Sequence, residues 1–360
     1  FIMKTYTQLY ERLCSYENLN LAFEKASRGK SKKKYVLDFE KNLRANLLQL
    51  QQELLSFSYC PRKLKRFIIR DPKTRAIHAS TFRDRLIHHA LVNILEPIFE
   101  KIFIHDSYAS RKDKGTHQAV KRFIIFMRKV SRNGRRIRKL WSNNSVQGYV
   151  LKADIRKYFD EVDHEVLLGI IGRKVKDDRV LWLVKVILDN FENPMKGKGM
   201  PLGNYTSQFF ANVYLNELDY FVKHSLKAKF YIRYVDDFVI LHREKKLLEH
   251  YKKRIIRYLL CLRLTLHPDK SNIISLKDGI TFLGYRIFYY YRLLRKRNLR
   301  HFKKEFSAYL QLYRKGFMTK KMLKKQLQDW FGYAQWANTY KFRQQILREL
   351  ELDDINASKK

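Results

Sequence analysis

The chain has 360 residues, 45% of them hydrophobic, enough for two or three packed subdomains rather than one small core. Lys and Arg number 75 against 35 Asp and Glu, a formal net charge of +40; self-repulsion on that scale usually serves a polyanionic partner, with nucleic acid first and an anionic membrane surface as the rival. Cys14, Cys60 and Cys261 are isolated and odd in number, which argues against a disulfide framework and a zinc site and fits a reducing, cytoplasmic setting.

In chain order, Phe1 and Ile2 precede Met3 and are set aside. No apolar run of about 18 residues occurs and no signal peptide opens the sequence, so neither membrane spanning nor export is expected. Residues 3–60 read as mainly helical, with Leu37, Phe39, Leu43, Leu47, Leu50, Leu54 and Leu55 at helical spacing. Arg66–Arg70 and Arg75–His78 read as short strands joined by a turn at Asp71-Pro-Lys-Thr74. That hairpin carries Arg66, Arg70, Lys73 and Arg75, a basic set suited to a triphosphate. A helix is predicted from Phe82 to about Phe103, and another begins after Gly115 with Thr116 as N-cap. Residues 128–144 form the densest positive run. With Arg128, Lys129, Arg132, Arg135, Arg136, Arg138 and Lys139, it reads as a loop or insertion that binds RNA. The 23 Tyr and 24 Phe mixed with this charge suit base stacking, although most belong to ordinary core.

Gln147–Asp154 is a strand ending in an acid. Helices are predicted from about His164, over 178–191 and from Thr206 to about His224, the last preceded by a glycine-rich loop at Gly197–Gly203. Two β-rich runs, Phe230–Tyr234 and Phe238–Leu241, then flank Asp236 and Asp237 and place them at a tight hairpin tip. Asp is a common turn residue, so the pair alone has a plain reading. The functional reading is that a stiff hairpin holds oxygen ligands for divalent metals, as two-metal phosphoryl transfer requires. Such a site needs a further carboxylate, and Asp154 supplies it, with the Ile155 carbonyl as an added ligand at the strand edge. A helix over 244–261, short strands at Leu264–His267, Ile273–Ser275 and Thr281–Tyr285, and a basic helical region from Leu299 follow. Trp330, Phe331, Trp336 and Tyr340 are its expected core anchors. Strands and helices in this order make a sheet covered on one face by helices.

The ordered set resembles the reverse transcriptase family. Tyr234-Val-Asp-Asp237 is similar to its YxDD box, and Asp154 with Phe159 five residues on to its first palm motif. Pro201–Gln208 is similar to its Gly-xxx-Ser loop and helix, His267-Pro-Asp-Lys270 to its lysine-bearing segment, and Phe282-Leu-Gly-Tyr285 to its primer-grip turn. The resemblance covers nearly all of residues 61–350 and implies an α+β right-hand polymerase, with an antiparallel palm sheet packed on helices. The N-terminal helices and fingers would span 3–146, with a basic insertion at 128–144. The palm would span 147–288, with 165–200 contributing to the fingers, and a helical thumb and tail 289–360. It further implies two Mg²⁺ ions on Asp154, Ile155, Asp236 and Asp237, and dNTP substrates. Arg70, Lys73 and Arg75 would clamp the triphosphate, and Phe159 would exclude a ribose 2′-OH. Leu202, Gly203 and Gln208 would lie at the nascent pair, Lys270 at the leaving group, and Phe282, Leu283 and Gly284 at the primer.

Many bacterial members have Gln before the loop glycine and Pro after the serine; here Leu202 and Gln208 stand there. That pattern resembles the reverse transcriptases of diversity-generating retroelements. These copy a template-repeat RNA into cDNA with errors at adenines, in a ribonucleoprotein with a small basic accessory protein. A bacterial or phage-encoded cytoplasmic enzyme is implied. The alternatives are another bacterial reverse transcriptase (retron, group II-like or phage-defence type) and a catalytically inactive RNA-binding scaffold. The Val-Thr-Gly of retron enzymes is absent from the thumb region, and the sequence is expected to stop soon after the thumb, without a maturase segment.

Overall fold

The computed structural model describes residues 4–70, 74–137 and 145–357. Lys73, Arg138 and Lys139, with most of the Asp71–Thr74 turn, therefore lie outside the described residues. The chain divides into two compact units, Phe1–Asp113 with Ala153–Phe238 and His250–Ser271, and Lys114–Lys152 with Val239–Glu249 and Asn272–Lys360.

In the first unit α1 (Tyr10–Cys14), α2 (Tyr16–Ser27), α3 (Lys34–Glu40) and α4 (Leu43–Leu55) precede the hairpin β1 (Lys65–Ile69) and β2 (Arg75–Ala79). Leu47, Leu50 and Leu54 are buried on one face of α4, while Leu37 and Leu55, also at helical spacing, are exposed. The hairpin is antiparallel, with Ile69 opposite Arg75. Helix α5 (Phe82–Phe99) starts where Thr81 accepts the Asp84 N–H on its side chain. It ends four residues before the predicted Phe103.

Helix α6 (Thr116–Val130) belongs to the second unit. Its N-cap is Gly115, not Thr116, and no side chain caps it. It also runs into the segment read as a loop. Phe123, Phe126, Met127 and Val130 make a buried stripe at helical spacing, so burial carries the helix through Arg128 and Lys129. Strands β3 (Arg136–Ile137) and β4 (Ser145–Val146) then pair antiparallel. The basic run is thus a helix end, a turn with left-handed Arg132 and Asn133, and a ribbon, rather than a plain loop.

Strand β5 (Tyr149–Asp154) follows, then α7 (Tyr158–Glu161), α8 (His164–Lys174), α9 (Asp178–Asp189) and α10 (Tyr205–Tyr220). The predicted last turn of α10 is a π-turn at Phe221–Ser225. Helix α10 is almost wholly buried, Phe210, Val213, Tyr214 and Leu218 included, and packs on α5 and α8 as the spine of the first unit. Strands β6 (Tyr231–Tyr234) and β7 (Asp237–His242) form the carboxylate hairpin, followed by α11 (Lys245–Cys261) and β8 (Asn272–Ser275). One sheet has the strand order β6-β7-β5-β8.

Leu264–His267 is not a strand. It makes a single bridge, Leu266 to Ile155, between left-handed Arg263 and Pro268, which has no N–H to extend a ladder. The predicted strand at Thr281–Tyr285 is two, β9 (Ile280–Phe282) and β10 (Tyr285–Ile287), because Leu283 and Gly284 both take positive φ in a two-residue hairpin. Strand β11 (Arg292–Leu294), absent from the sequence reading, pairs with β10. Helices α12 (Lys296–Arg314), α13 (Lys320–Ala334) and α14 (Tyr340–Ala357) follow. Phe302, Phe306, Leu310, Leu323, Leu327 and Ile346 form their core, with Trp330 stacked on Phe302 and Phe331 against the cluster. Trp336 stacks on His117 instead, and Tyr340 is 68% exposed and anchors nothing. Among the described residues no helix is long and apolar enough to cross a membrane.

Candidate catalytic carboxylate site

The first unit brings Asp154, Ile155, Asp236, Asp237 and Lys270 together. Val150, Leu151 and Ala153 are fully buried and fix β5, so that Asp154 emerges at its end, partly exposed. The Asp154 carbonyl accepts the His267 N–H at 2.7 Å, and Ile155 N–H donates to the Asp236 carbonyl at 3.3 Å. The chain reverses at Val235 and Asp236 alone, and Asp237 opens β7. Asp236 therefore sits in the two-residue tip, while Asp237, expected beside it there, is the first residue of β7. Val235 has φ +54, in the left-handed region that a β-branched residue rarely enters.

Burial raises the Asp236 carboxyl to about 6, and the negative charges of Asp237 and Asp154 add to it, while Arg75 of the β-hairpin acts the other way. Three carboxylates within electrostatic reach of one another are the donor set a hard divalent cation takes. Among the described residues, however, no group of three or more His, Cys, Asp or Glu side chains is gathered to hold a metal as it stands. Asp154 Oδ2 is instead paired with Lys270 Nζ at 3.2 Å. The donors fit divalent ions, provided Lys270 gives way.

The loop before α10 is built against β2. The Leu202 carbonyl accepts the His78 N–H at 2.9 Å, and Asn204 Oδ1 accepts the Ser80 N–H at 3.1 Å. Gly203 has φ +111, and a Cβ on it would meet Ile77 Cγ2 at 2.6 Å. The chain's own hairpin thus already requires glycine there. Gln208 is exposed and its Oε1 accepts a hydrogen bond from Ser110 Oγ at 3.1 Å. Phe159 lies on α7, edge-on to Tyr158, whose hydroxyl donates to the Ala211 carbonyl. Arg70 and Arg75 are exposed at the described ends of the hairpin.

The remaining predicted residues belong to the second unit. Phe282 is buried beside Phe123, and the Leu283–Gly284 turn is braced by α13, since Tyr333 Oη donates to the Gly284 carbonyl at 2.7 Å. Arg128 and Lys129 close α6, Arg132 and Arg135 follow it, and Arg136 enters β3.

One buried group was missed in the sequence. Arg233, inside the apolar run of β6, makes a fully buried ion pair with Asp219 of α10. Burial opposes its charge, but Asp219 outweighs that and holds the guanidinium above its ordinary range. An arginine in the middle of an otherwise apolar strand was the available signal.

Residues 69–287 match the family described as Reverse transcriptase (RNA-dependent DNA polymerase). The chain is 28% identical over 297 residues to Protein YkfC of Escherichia coli K12, covering 71% of this chain and 73% of that one. It is 29% identical over 269 residues to the group II intron-encoded protein LtrA of Lactococcus lactis, covering 71% of this chain but only 42% of LtrA. A solved telomerase from Candida albicans, in complex with a fragment of telomeric RNA, aligns with a TM-score of 0.47 at 12% identity, over 66% of this chain and 47% of that one. On the family match, which spans more than half of its length and all three carboxylates, the chain belongs to the reverse transcriptases, the RNA-directed DNA polymerases.

Proposed function

We propose that the chain copies RNA into DNA at Asp154, Asp236 and Asp237. The observation that carries the reading is the set of three mutually repelling carboxylates at the end of β5 and the β6–β7 turn. Asp154, Asp236, Asp237 and the Ile155 carbonyl would hold two divalent ions, read as Mg²⁺. Such ions, when bound, supply the charge that acidifies a primer hydroxyl and stabilises departing pyrophosphate. Arg70, Lys73 and Arg75 hold the triphosphate, and Phe159 excludes a ribose 2′-OH. Lys270, once freed from Asp154, shields or protonates the leaving group. In this reading 3–146 are N-terminal helices and fingers, 147–288 palm and 289–360 thumb and tail, with Phe282–Gly284 on the primer. Primer extension with dNTPs on an RNA template tests it, and a purified chain that extends no primer with Mg²⁺ or Mn²⁺ would overturn it.

RNA is read to bind through the basic run from Arg128 to Lys139 and the thumb. Neutralising Arg135, Arg136, Arg138 and Lys139 is expected to flatten the plot of log affinity against log salt by up to ~0.7 per lost single-strand contact. An unchanged slope would make the run a bystander.

The finer reading is a cytoplasmic diversity-generating reverse transcriptase, in a ribonucleoprotein with a small basic accessory protein. It rests on Leu202 and Gln208. The group II intron-encoded relative favours the alternative, a group II-like enzyme. Leu202 neither donates nor accepts through its side chain. A Gln there could add one hydrogen bond near the incoming nucleotide, worth ~1 kcal/mol net, or about a fivefold gain in discrimination. Leu202→Gln is expected to lower misincorporation opposite template adenine more than opposite the other bases, as read by sequencing the cDNA. An equal response at all four bases would remove the basis for the finer reading.

A further inference from the structure

The buried arginine of β6 faces the turn that carries the carboxylates. Nε and Nη2 of Arg233 each donate to a different oxygen of Asp219 at 2.7 Å. The remaining arm, Nη1, donates to Asn212 Oδ1 at 3.0 Å and to the Val235 carbonyl at 3.2 Å. Asp219 also accepts the Tyr231 hydroxyl at 2.7 Å, and Asn212 Nδ2 donates to the Ala109 carbonyl at 2.8 Å. Asp219 and Asn212 both lie on α10, so the guanidinium is fixed to the spine of the unit before it reaches the turn.

What it reaches is a strained residue. A β-branched side chain at φ +54 persists only where its surroundings over-determine the backbone. The Val235 carbonyl belongs to the peptide group that leads into Asp236, so a hydrogen bond there fixes the direction in which Asp236 leaves the turn. Lysine could keep the charge opposite Asp219. It could not grip both carboxylate oxygens and a carbonyl at once, which takes the planar fork of arginine.

We propose that Arg233 is a positioning residue, anchored by Asp219 and Asn212, that holds the Val235–Asp236 turn so that the carboxylates are preset to bind a divalent cation. The proposal rests on the reading of Asp154, Asp236 and Asp237 as cation ligands, and the two are separable by experiment. The rival role is that the pair serves stability alone. Buried ion pairs can often be exchanged for apolar residues without loss of fold, whereas removing one partner leaves an uncompensated charge.

The test is Mn²⁺ binding to the full chain without nucleic acid, by titration calorimetry, with thermal melting alongside. Arg233→Lys and the paired Arg233→Met/Asp219→Leu are compared with wild type, and Asp236→Asn is the control. Both test variants are expected to bind Mn²⁺ about tenfold or more weakly, as loss of a ligand-orienting partner does. The paired variant is expected to do so while melting near wild type. A folded variant of either kind with wild-type Mn²⁺ affinity overturns the proposal and leaves the pair a stability element. Should Arg233→Lys melt below the assay temperature, the paired variant decides, since it leaves no unpaired buried charge. If Asp236→Asn itself binds Mn²⁺ as wild type does, the carboxylate reading fails instead, and the positioning role with it.

Discussion

Asp236→Asn is expected to reduce RNA-templated DNA synthesis at least ~100-fold, the largest effect foreseen for any single substitution. Asn keeps the shape of the side chain and the two-residue turn but removes one of the three charges that would hold the ions. Stabilisation of a phosphoryl-transfer transition state by bound metal is worth several kcal/mol, and each ~1.4 kcal/mol is a factor of ten in rate. The loss should appear in single-turnover primer extension at saturating template and dNTP, with RNA affinity unchanged because the turn carries none of the basic surface. Extension within a few-fold of wild type would remove Asp236 from the site, whatever the RNA-binding result.

The same substitution should stabilise the metal-free protein, and only above a certain pH. Desolvation of the half-buried Asp236 carboxyl, with the charges of Asp237 and Asp154 beside it, raises it from an ordinary 3.8 to about 6 in the folded chain. The folded state therefore holds this proton more tightly than the unfolded state does. The favourable contribution is complete below about pH 4 and is lost as pH rises through 6. At neutral pH the ionised carboxylate then costs roughly 3 kcal/mol, at ~1.4 kcal/mol for each tenfold change in proton affinity. Asn does not titrate. In the presence of a chelator, Asp236→Asn should be more stable than wild type at pH 7–8, with the gap closing towards pH 4. Added Mg²⁺ should shrink the gap at neutral pH by neutralising the wild-type charge. Urea unfolding at several pH values measures this. A gap that does not change with pH would mean that electrostatic repulsion is not its source.

The order of elements was legible because its signals are local. Apolar, β-rich runs marked β5, β6 and β7, apolar residues at helical spacing marked α4 and α5, and acids at a strand end and in a hairpin marked the candidate site. Where local signals were mixed, the reading failed. The charge of residues 128–144 pointed to a loop, but the burial of Phe126, Met127 and Val130 kept Arg128 and Lys129 helical. Leu264–His267 has strand-like residues, yet its pairing goes no further than the single bridge of Leu266 to Ile155.

The sequence by itself determined the fold class, the family and the order of the elements that carry the three candidate carboxylates, since each depends on residues close together in the chain or on their order along it. The tertiary structure decided what surrounds them. Lys270 meets Asp154 across 116 positions and Arg233 meets Asp219 across 14. Gly203 owes its lack of a side chain to Ile77 of a distant hairpin. Whether a charged side chain is paired, buried or crowded depends on which distant segment packs against it, and neither spacing nor composition carries that information.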